Sequence, residues 1–300
     1  MKNEAMGYLR RERKLAVLYI LPALSVFILF MFYPLVYTVY LSFFRWNMVS
    51  PKMKFVALQN YINLLTDPVT LQVFKNTALY IVILILFNFL LPYVLAYINT
   101  FLMKTGKDIY KALFFSSSLI ALVVGAILFQ WIFNPVSGPV AALASKAGTA
   151  LPAWSKTPGL VIFVISLVAV YKAFGYNFLI LLSGMGSVPG ELIEAARLEK
   201  ASNRNIFRRI VMPLTSATAV YILIMTIVQG LQYVFTPIKV LTQGGPNDAS
   251  SNIIYRGYDY AFTFYETGMS AALAVVTMVI FLLLLYLEFR FVEKGVYYEN

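Results

Sequence analysis

Residues 187–213 read SVPGELIEAARLEKASNRNIFRRIVMP, a long polar, charge-rich interval between two thoroughly apolar segments. Pro189 suits a first helical turn, where its missing N–H costs nothing, and Glu191 and Glu194 suit a helix N-terminus. Ser202 suits the N-cap of a second short helix, Asn203 to Ile210, which carries Arg204, Arg208 and Arg209 before Pro213 opens the next apolar run. The spacing therefore predicts a helix–turn–helix lying at a membrane surface, with Leu198, Ile206, Phe207 and Ile210 available for burial. An ordinary solvated loop would need neither helix, and the pattern alone leaves that plainer reading open.

Composition says what this interval is embedded in. Of the 300 residues, 60% are hydrophobic and 12% charged, with a mean hydropathy of +0.76, whereas soluble domains are roughly half apolar and a quarter charged. The chain is an integral membrane protein. It contains no cysteine and no histidine, which excludes a disulfide framework, a zinc site of the usual kind and Cys or His catalysis. The net charge of +11 reads as anchoring of cytoplasmic loops, not as nucleic-acid binding.

Outward from the opening stretch, apolar runs predict six spans near residues 16–44, 74–103, 112–133, 159–185, 214–241 and 269–287. Residues 1–14 form a basic tail and 292–300 a short closing tail, leaving 15–291 as one transmembrane domain with a polar loop over 187–213. Pro22, Pro34 and the aromatic run favour an uncleaved first span over a signal peptide. Residues 45–72 suggest a short amphipathic helix and an Asp67-Pro68 turn. The Gly/Ala/Ser-rich interval 136–157 reads as an outer loop. Six spans with both termini inside place 15 of the 24 Lys and Arg residues on the cytoplasmic face: five in the tail, three around Lys104, five in 187–213 and two at the C-terminus. The expected fold is an all-α, polytopic helical bundle.

Three stretches resemble a known family. Glu194-Ala195-Ala196, Ile210 and Pro213 keep the spacing of the EAA loop of bacterial ABC importer permeases, with Lys200 at the usual Gly and Met212 at the usual Leu. Phe55 to Tyr61 with Asp67-Pro68 resembles the segment after the first span of sugar-type permeases. Thr242-Gln243-Gly244-Gly245-Pro246, followed by Tyr258, Phe262 and Gly268, is similar to a signature of the carbohydrate-uptake subgroup, of the maltose and glycerol-3-phosphate type. The resemblance implies a type I permease fold in the bacterial inner membrane. It implies partners as well: a second homologous permease, two ATP-binding subunits docking on the loop, and an extracytoplasmic solute-binding protein. It also implies an ATPase-coupling role for Glu194, Ala195, Ala196, Leu198, Lys200, Ile210 and Pro213. A Gly at position 200 would supply a left-handed turn, so Lys200 must adopt that geometry at some cost or the turn is built differently.

The chemistry left to the chain is narrow. It has no GxxxxGK[ST] phosphate loop, so ATP and Mg belong to partner subunits, and no cofactor, metal site or catalytic residue is expected here. The spans lack a central Asp or Glu, which argues against a proton- or sodium-coupled carrier or channel not driven by ATP, and against a hydrolase. A membrane anchor without a conduit remains a further alternative. Within the spans, Lys172, Asn177, Gln229, Gln232 and Tyr233 are the candidate solute path. A buried ammonium costs roughly 2.5–3.5 kcal/mol at a helix centre, so Lys172 either faces that path or bonds carbonyls of a broken helix near Gly175. Gln229 and Gln232 suit hydroxyl groups, because amides both donate and accept, or they hold helices together. Tyr233 and Trp131 are candidates to stack on a sugar face.

Overall fold

The computed structural model describes residues 18–292, so the tail over 1–14 and nearly all of the closing tail over 292–300 lie outside the described residues. Five helices are long and apolar enough to cross a membrane: α1 (Leu18–Leu41), α3 (Pro68–Leu102), α7 (Leu160–Gly186), α10 (Ser216–Thr242) and the start of α12 (Thr267–Val292). The sixth expected span, 112–133, is not one straight helix. It is a pair, α4 (Lys107–Leu119) and α5 (Leu122–Ile132), bent by 103°. Shorter helices fill the intervals: α2 (Gln59–Thr66), α6 (Pro139–Lys146), α8 (Gly190–Leu198), α9 (Asn203–Ile206) and α11 (Ile253–Tyr258). The 136–157 interval is thus partly helical, through α6 and a single turn at Trp154–Lys156.

The chain forms two compact units. The smaller joins the residues up to Leu64 to Asp259–Val276. In it, strands β1 (Phe44–Arg45) and β2 (Lys54–Phe55) pair antiparallel, Phe44 opposite Phe55. Asn60 is buried because its amide donates to the carbonyls of Ser42 (2.8 Å) and Phe44 (3.0 Å), closing the turn that follows α1. A Cβ on Gly268 would collide with the Phe44 carbonyl, so α12 can begin against this hairpin only with glycine there. None of the most apolar window of α1 is buried.

The larger unit, Leu65–Tyr258 with Thr277 onward, is built around α7, which packs against α3, α4, α5 and α10. Its core falls into two apolar clusters. One holds Tyr80, Leu84, Ile165, Leu231, Val234, Ile238 and Tyr255. The other holds Tyr93, Tyr97, Phe178, Leu181, Ile193, Ile206 and Ile222, and so includes residues of α8 and α9. Between them lies a buried polar layer of Asn88, Asn177 and Thr226.

Proline placement explains the irregularity of the long helices. π-helical turns at Ile28–Phe32, Leu86–Leu90 and Phe207–Val211 each end two residues before a proline, Pro34, Pro92 and Pro213. Proline removes a donor and its ring crowds the carbonyl four residues back, so the preceding turn widens. Pro92 leaves the Asn88 carbonyl without its helical partner. Asn177 Nδ2 (2.7 Å) and the Thr226 hydroxyl (3.4 Å) donate to it instead.

Candidate functional site

The stretch 187–213 folds as two short helices. Pro189 stands at the N-cap of α8, with Glu191 in its first turn. Ser202 caps α9, its hydroxyl accepting from the Asn205 N–H at 3.3 Å. The helix then runs through the π turn before Pro213 into Met212–Leu214. Between the two helices Lys200 takes φ +58°, the left-handed geometry expected of glycine. The Ala201 N–H reaches the Ala196 carbonyl (2.9 Å) and the Lys200 N–H the Arg197 carbonyl (3.0 Å). These two bonds form a Schellman motif, so the turn keeps its glycine-type geometry despite the side chain.

The two faces of these helices have different fates. Ile193 and Ile206 are buried, and Phe207 and Ile210 pack beside them in the second apolar cluster. Leu198 departs from expectation: it is 85% exposed, so none of the described residues buries it. Ile193 took the burial role, through an inward position on α8 that the period-3.6 pattern could have identified. Glu194 and Ala195 are exposed and Ala196 half-buried. Glu194 makes no ion pair among the described residues. It lines a cleft of about 560 Å³ with Lys104, Lys107, Arg197 and Asn203. Arg197 Nη2 donates to the Phe101 carbonyl (2.7 Å) and Lys107 Nζ to the Thr100 carbonyl (2.9 Å), both at the end of α3. Cations are favourable at these orphan carbonyls.

The candidate path residues separate into two groups. Lys172 Nζ donates to the carbonyls of Ser118 (2.6 Å) and Ile120 (2.9 Å), at the break between α4 and α5. Carbonyls at a helix end inside a bilayer need such donors. One turn along α7, a Cβ on Gly175 would overlap the Phe114 carbonyl, so the two helices meet backbone to backbone. Lys172 therefore holds a bend, and the broken helix it serves is α4–α5 rather than its own. Asn177 is committed to Asn88 and Thr226 and is 3% exposed.

Gln229, Gln232 and Tyr233 differ. They lie on one face of α10, with Thr236, at positions i, i+3, i+4 and i+7. Gln232 is exposed, the other three are half-buried, and none of the Gln229, Gln232 or Tyr233 side chains makes a hydrogen bond among the described residues. The opposite side of α10 carries buried Leu231, Val234 and Ile238, and Gly230 seats against Leu84, whose Cδ1 would lie 2.8 Å from an added Cβ. α10 thus presents a row of donors and acceptors that are unpaired among the described residues, with the Tyr233 ring also packing on the first apolar cluster. Trp131 is also exposed.

The signature region 242–253 is ordered by α3. Gln243, Gly244, Asn247 and Asp248 all have positive φ. Asn76 Nδ2 donates to the carbonyls of Asp248 (2.9 Å) and Ser251 (3.1 Å), Tyr80 Oη to that of Ser250 (2.9 Å), and the Ile253 N–H to Thr77 Oγ1 (3.0 Å). Asp67 caps α3. Burial alone would push its carboxyl up, but the Thr70 hydroxyl, the N–H groups of Thr70 and Val69 and the Arg256 charge bring it below the usual range.

The family profile "Binding-protein-dependent transport system inner membrane component" matches residues 103–296. A probable ABC transporter permease protein, YurN of Bacillus subtilis, is 32% identical over 281 residues, covering 93% of this chain and 96% of the relative. The sn-glycerol-3-phosphate transport system permease protein of Brucella abortus is 31% identical, covering 93% and 94%. In fold, the chain superposes on a chain of a bacterial ABC transporter that imports the acidic polysaccharide alginate. The TM-score is 0.81 at 18% identity, covering 97% of this chain and 99% of the other. A second structure of the alginate transporter, in complex with a periplasmic protein bound to an alginate pentasaccharide, matches with a TM-score of 0.77 at 18% identity, covering 94% of each chain.

Proposed function

The chain belongs to the family of binding-protein-dependent transport system inner membrane components, and from that membership we propose that it is the ATP-coupled half-conduit of an importer for a carbohydrate or a glycerol-phosphate-like solute. The observation that carries this reading is the division of α8. Ile193 is buried in the bundle and Arg197 ties the helix to the end of α3, while Glu194 and Leu198 stand exposed. A helix so anchored can transmit a push from whatever grips its free side. In this reading the grip comes from an ATP-binding subunit, one of two in the assembly. Leu198 enters its cleft, Ala195 and Ala196 permit close helix approach, and Glu194 meets a basic group there. The Lys200 turn, Ile210 and Pro213 fix the angle between α8 and α9. ATP and Mg are bound by those subunits, since this sequence has no phosphate loop.

The solute path is proposed along the Gln229, Gln232, Tyr233 and Thr236 face of α10, completed by a second, homologous permease. Amides and phenols pair with hydroxyl groups in either sense, and the names of the relatives favour a polyol or sugar bearing an anionic group. Lys172 and Asn177 are withdrawn from that path by their present hydrogen bonds. A solute-binding protein delivers from the outer side, and both termini lie in the cytoplasm.

The test is Glu194→Lys in membrane vesicles carrying the whole transporter, with labelled glycerol 3-phosphate and an oligosaccharide panel as probes. ATP-driven uptake is expected to vanish while the variant stays in the membrane at wild-type amount. Undiminished uptake would remove α8 from this role.

A further inference from the structure

α7 and α10 continue directly out of the 187–213 stretch, so force entering α8 and α9 has an obvious covalent route through them. α3 has no such connection, yet it is fastened to the stretch more firmly than sequence order suggests. At its Leu102 end, Arg197 donates to the Phe101 carbonyl and Tyr97 Oη donates to the Asn203 carbonyl (2.9 Å). Tyr93 Oη lies 2.6 Å from Thr215 Oγ1. The Thr215 proton is already committed to the Val211 carbonyl (2.8 Å), which makes Tyr93 the donor. The Phe207 ring sits 5.5 Å from that of Tyr93 and 4.8 Å from that of Tyr97.

The other end of the same helix holds residues 248–253 through Asn76, Thr77 and Tyr80. All four groups held in that segment are backbone groups, and the segment follows left-handed residues at Gln243, Gly244 and Asn247 and opens on another at Asp248, so a tilt of α3 acts on its backbone directly. Tyr80 and Tyr97 lie 17 residues apart in the sequence, roughly 25 Å along a helix. Midway, the π turn before Pro92 breaks the helical ladder. There the Asn88 side chain is fully buried, and among the described residues neither its nitrogen nor its oxygen has a hydrogen-bond partner. An unmatched buried amide is costly, so the centre of α3 is where a second packing has something to gain.

We propose that α3 is a transmission rod. Tyr97 and Arg197 are positioning residues that fasten it to the coupling helices, Asn76 and Tyr80 are positioning residues that fasten it to residues 248–253, and the Asn88–Pro92 turn is its hinge. This rests on the coupling role proposed for α8. A rod makes movement of 248–253 depend on the tyrosine and arginine bonds. Mere packing would make only stability depend on them.

The chain has no cysteine, so label pairs can be introduced cleanly. In the reconstituted complete transporter, spin labels at Val136→Cys and Asn247→Cys, both exposed, report the far end. A label at Glu199→Cys, also exposed, reports partner engagement of α8. Each is read without nucleotide and after trapping with ATP and vanadate. Trapping is expected to immobilise the Glu199 label and to shift the far pair by about 2 Å or more, the scale of interface helix shifts. Tyr97→Phe with Arg197→Met should remove most of the far shift while the Glu199 label still responds. Tyr80→Phe, which deletes a single hydroxyl, should do the same and decides the matter if the double variant does not assemble. A far shift of wild-type size in either variant overturns the rod, as does a still far pair in the trapped wild type. A Glu199 label indifferent to trapping overturns the coupling reading and the rod with it.

Discussion

Lys200 sits at φ +58°, a conformation that costs a residue with a Cβ roughly 1–2 kcal/mol. The cation near the end of α8 recovers part of this, on the order of 0.3–1 kcal/mol, from the helix dipole. The steric term is the larger, so Lys200→Gly is expected to stabilise the protein by up to about 1 kcal/mol, after allowing for the extra chain entropy of glycine. Thermal unfolding of the purified complex checks this, and a lower Tm would show that the turn needs lysine. Lys172→Met leaves the Ser118 and Ile120 carbonyls without donors, at about 1–3 kcal/mol each. A large loss of Tm is expected, partly restored by Lys172→Arg, with little change in KM for the solute. A rise in KM without loss of Tm would return Lys172 to the solute path. Both alternatives for Lys172 were visible in the sequence, but the choice between them was not, because its acceptors lie more than 50 residues earlier. Asp67 gives a pH test. Its folded pKa lies below the ordinary value of 3.8, so its contribution is fully present above that value and is lost as pH falls through the lower folded value. Asp67→Asn keeps the cap but loses the charge, so the stability difference from wild type is expected to shrink below about pH 4. A difference that stays constant with pH contradicts the assignment.

At the scale of elements, the sequence exposed what local chemistry controls. Ser202 as a cap and the two short helices follow from residue types within a few positions of each other, whereas Asp67-Pro68, read as a turn ahead of a span beginning near residue 74, is the capped start of α3 itself. The bend between α4 and α5 does not follow from neighbouring residue types. Residues 112–133 carry no proline, and Gly125 lies beyond the break. The 103° turn is held instead by Lys172 and by the glycine contact of α7. Gly175→Ala is accordingly expected to cost several kcal/mol, or to prevent insertion altogether, since backbone would have to move at Phe114. Near-wild-type stability would mean that α4 and α7 approach less closely. The Gly138-Pro139 pair that opens α6 was readable as a helix start, but the small residues around it suggested a loop.

At the scale of the whole molecule, two surfaces stand out among the described residues. None of the most apolar window of α1 is buried, and the Gln229, Gln232 and Tyr233 polar groups of α10 make no hydrogen bond among the described residues. Both are surfaces that lipid or the companion permease proposed above would cover. The sequence pointed to partners only through its motifs, because partner surfaces carry no periodic signal of their own. The central claim is that α8 is the point where an ATP-binding subunit grips this chain. It is tested most directly by a single cysteine at Leu198, the exposed apolar residue beside Glu194. In intact membranes Leu198→Cys is expected to crosslink to the ATP-binding subunit and to react with impermeant thiol reagents only from the cytoplasmic side. Labelling from outside, or crosslinking of that subunit to another part of the chain and not to α8, would contradict it.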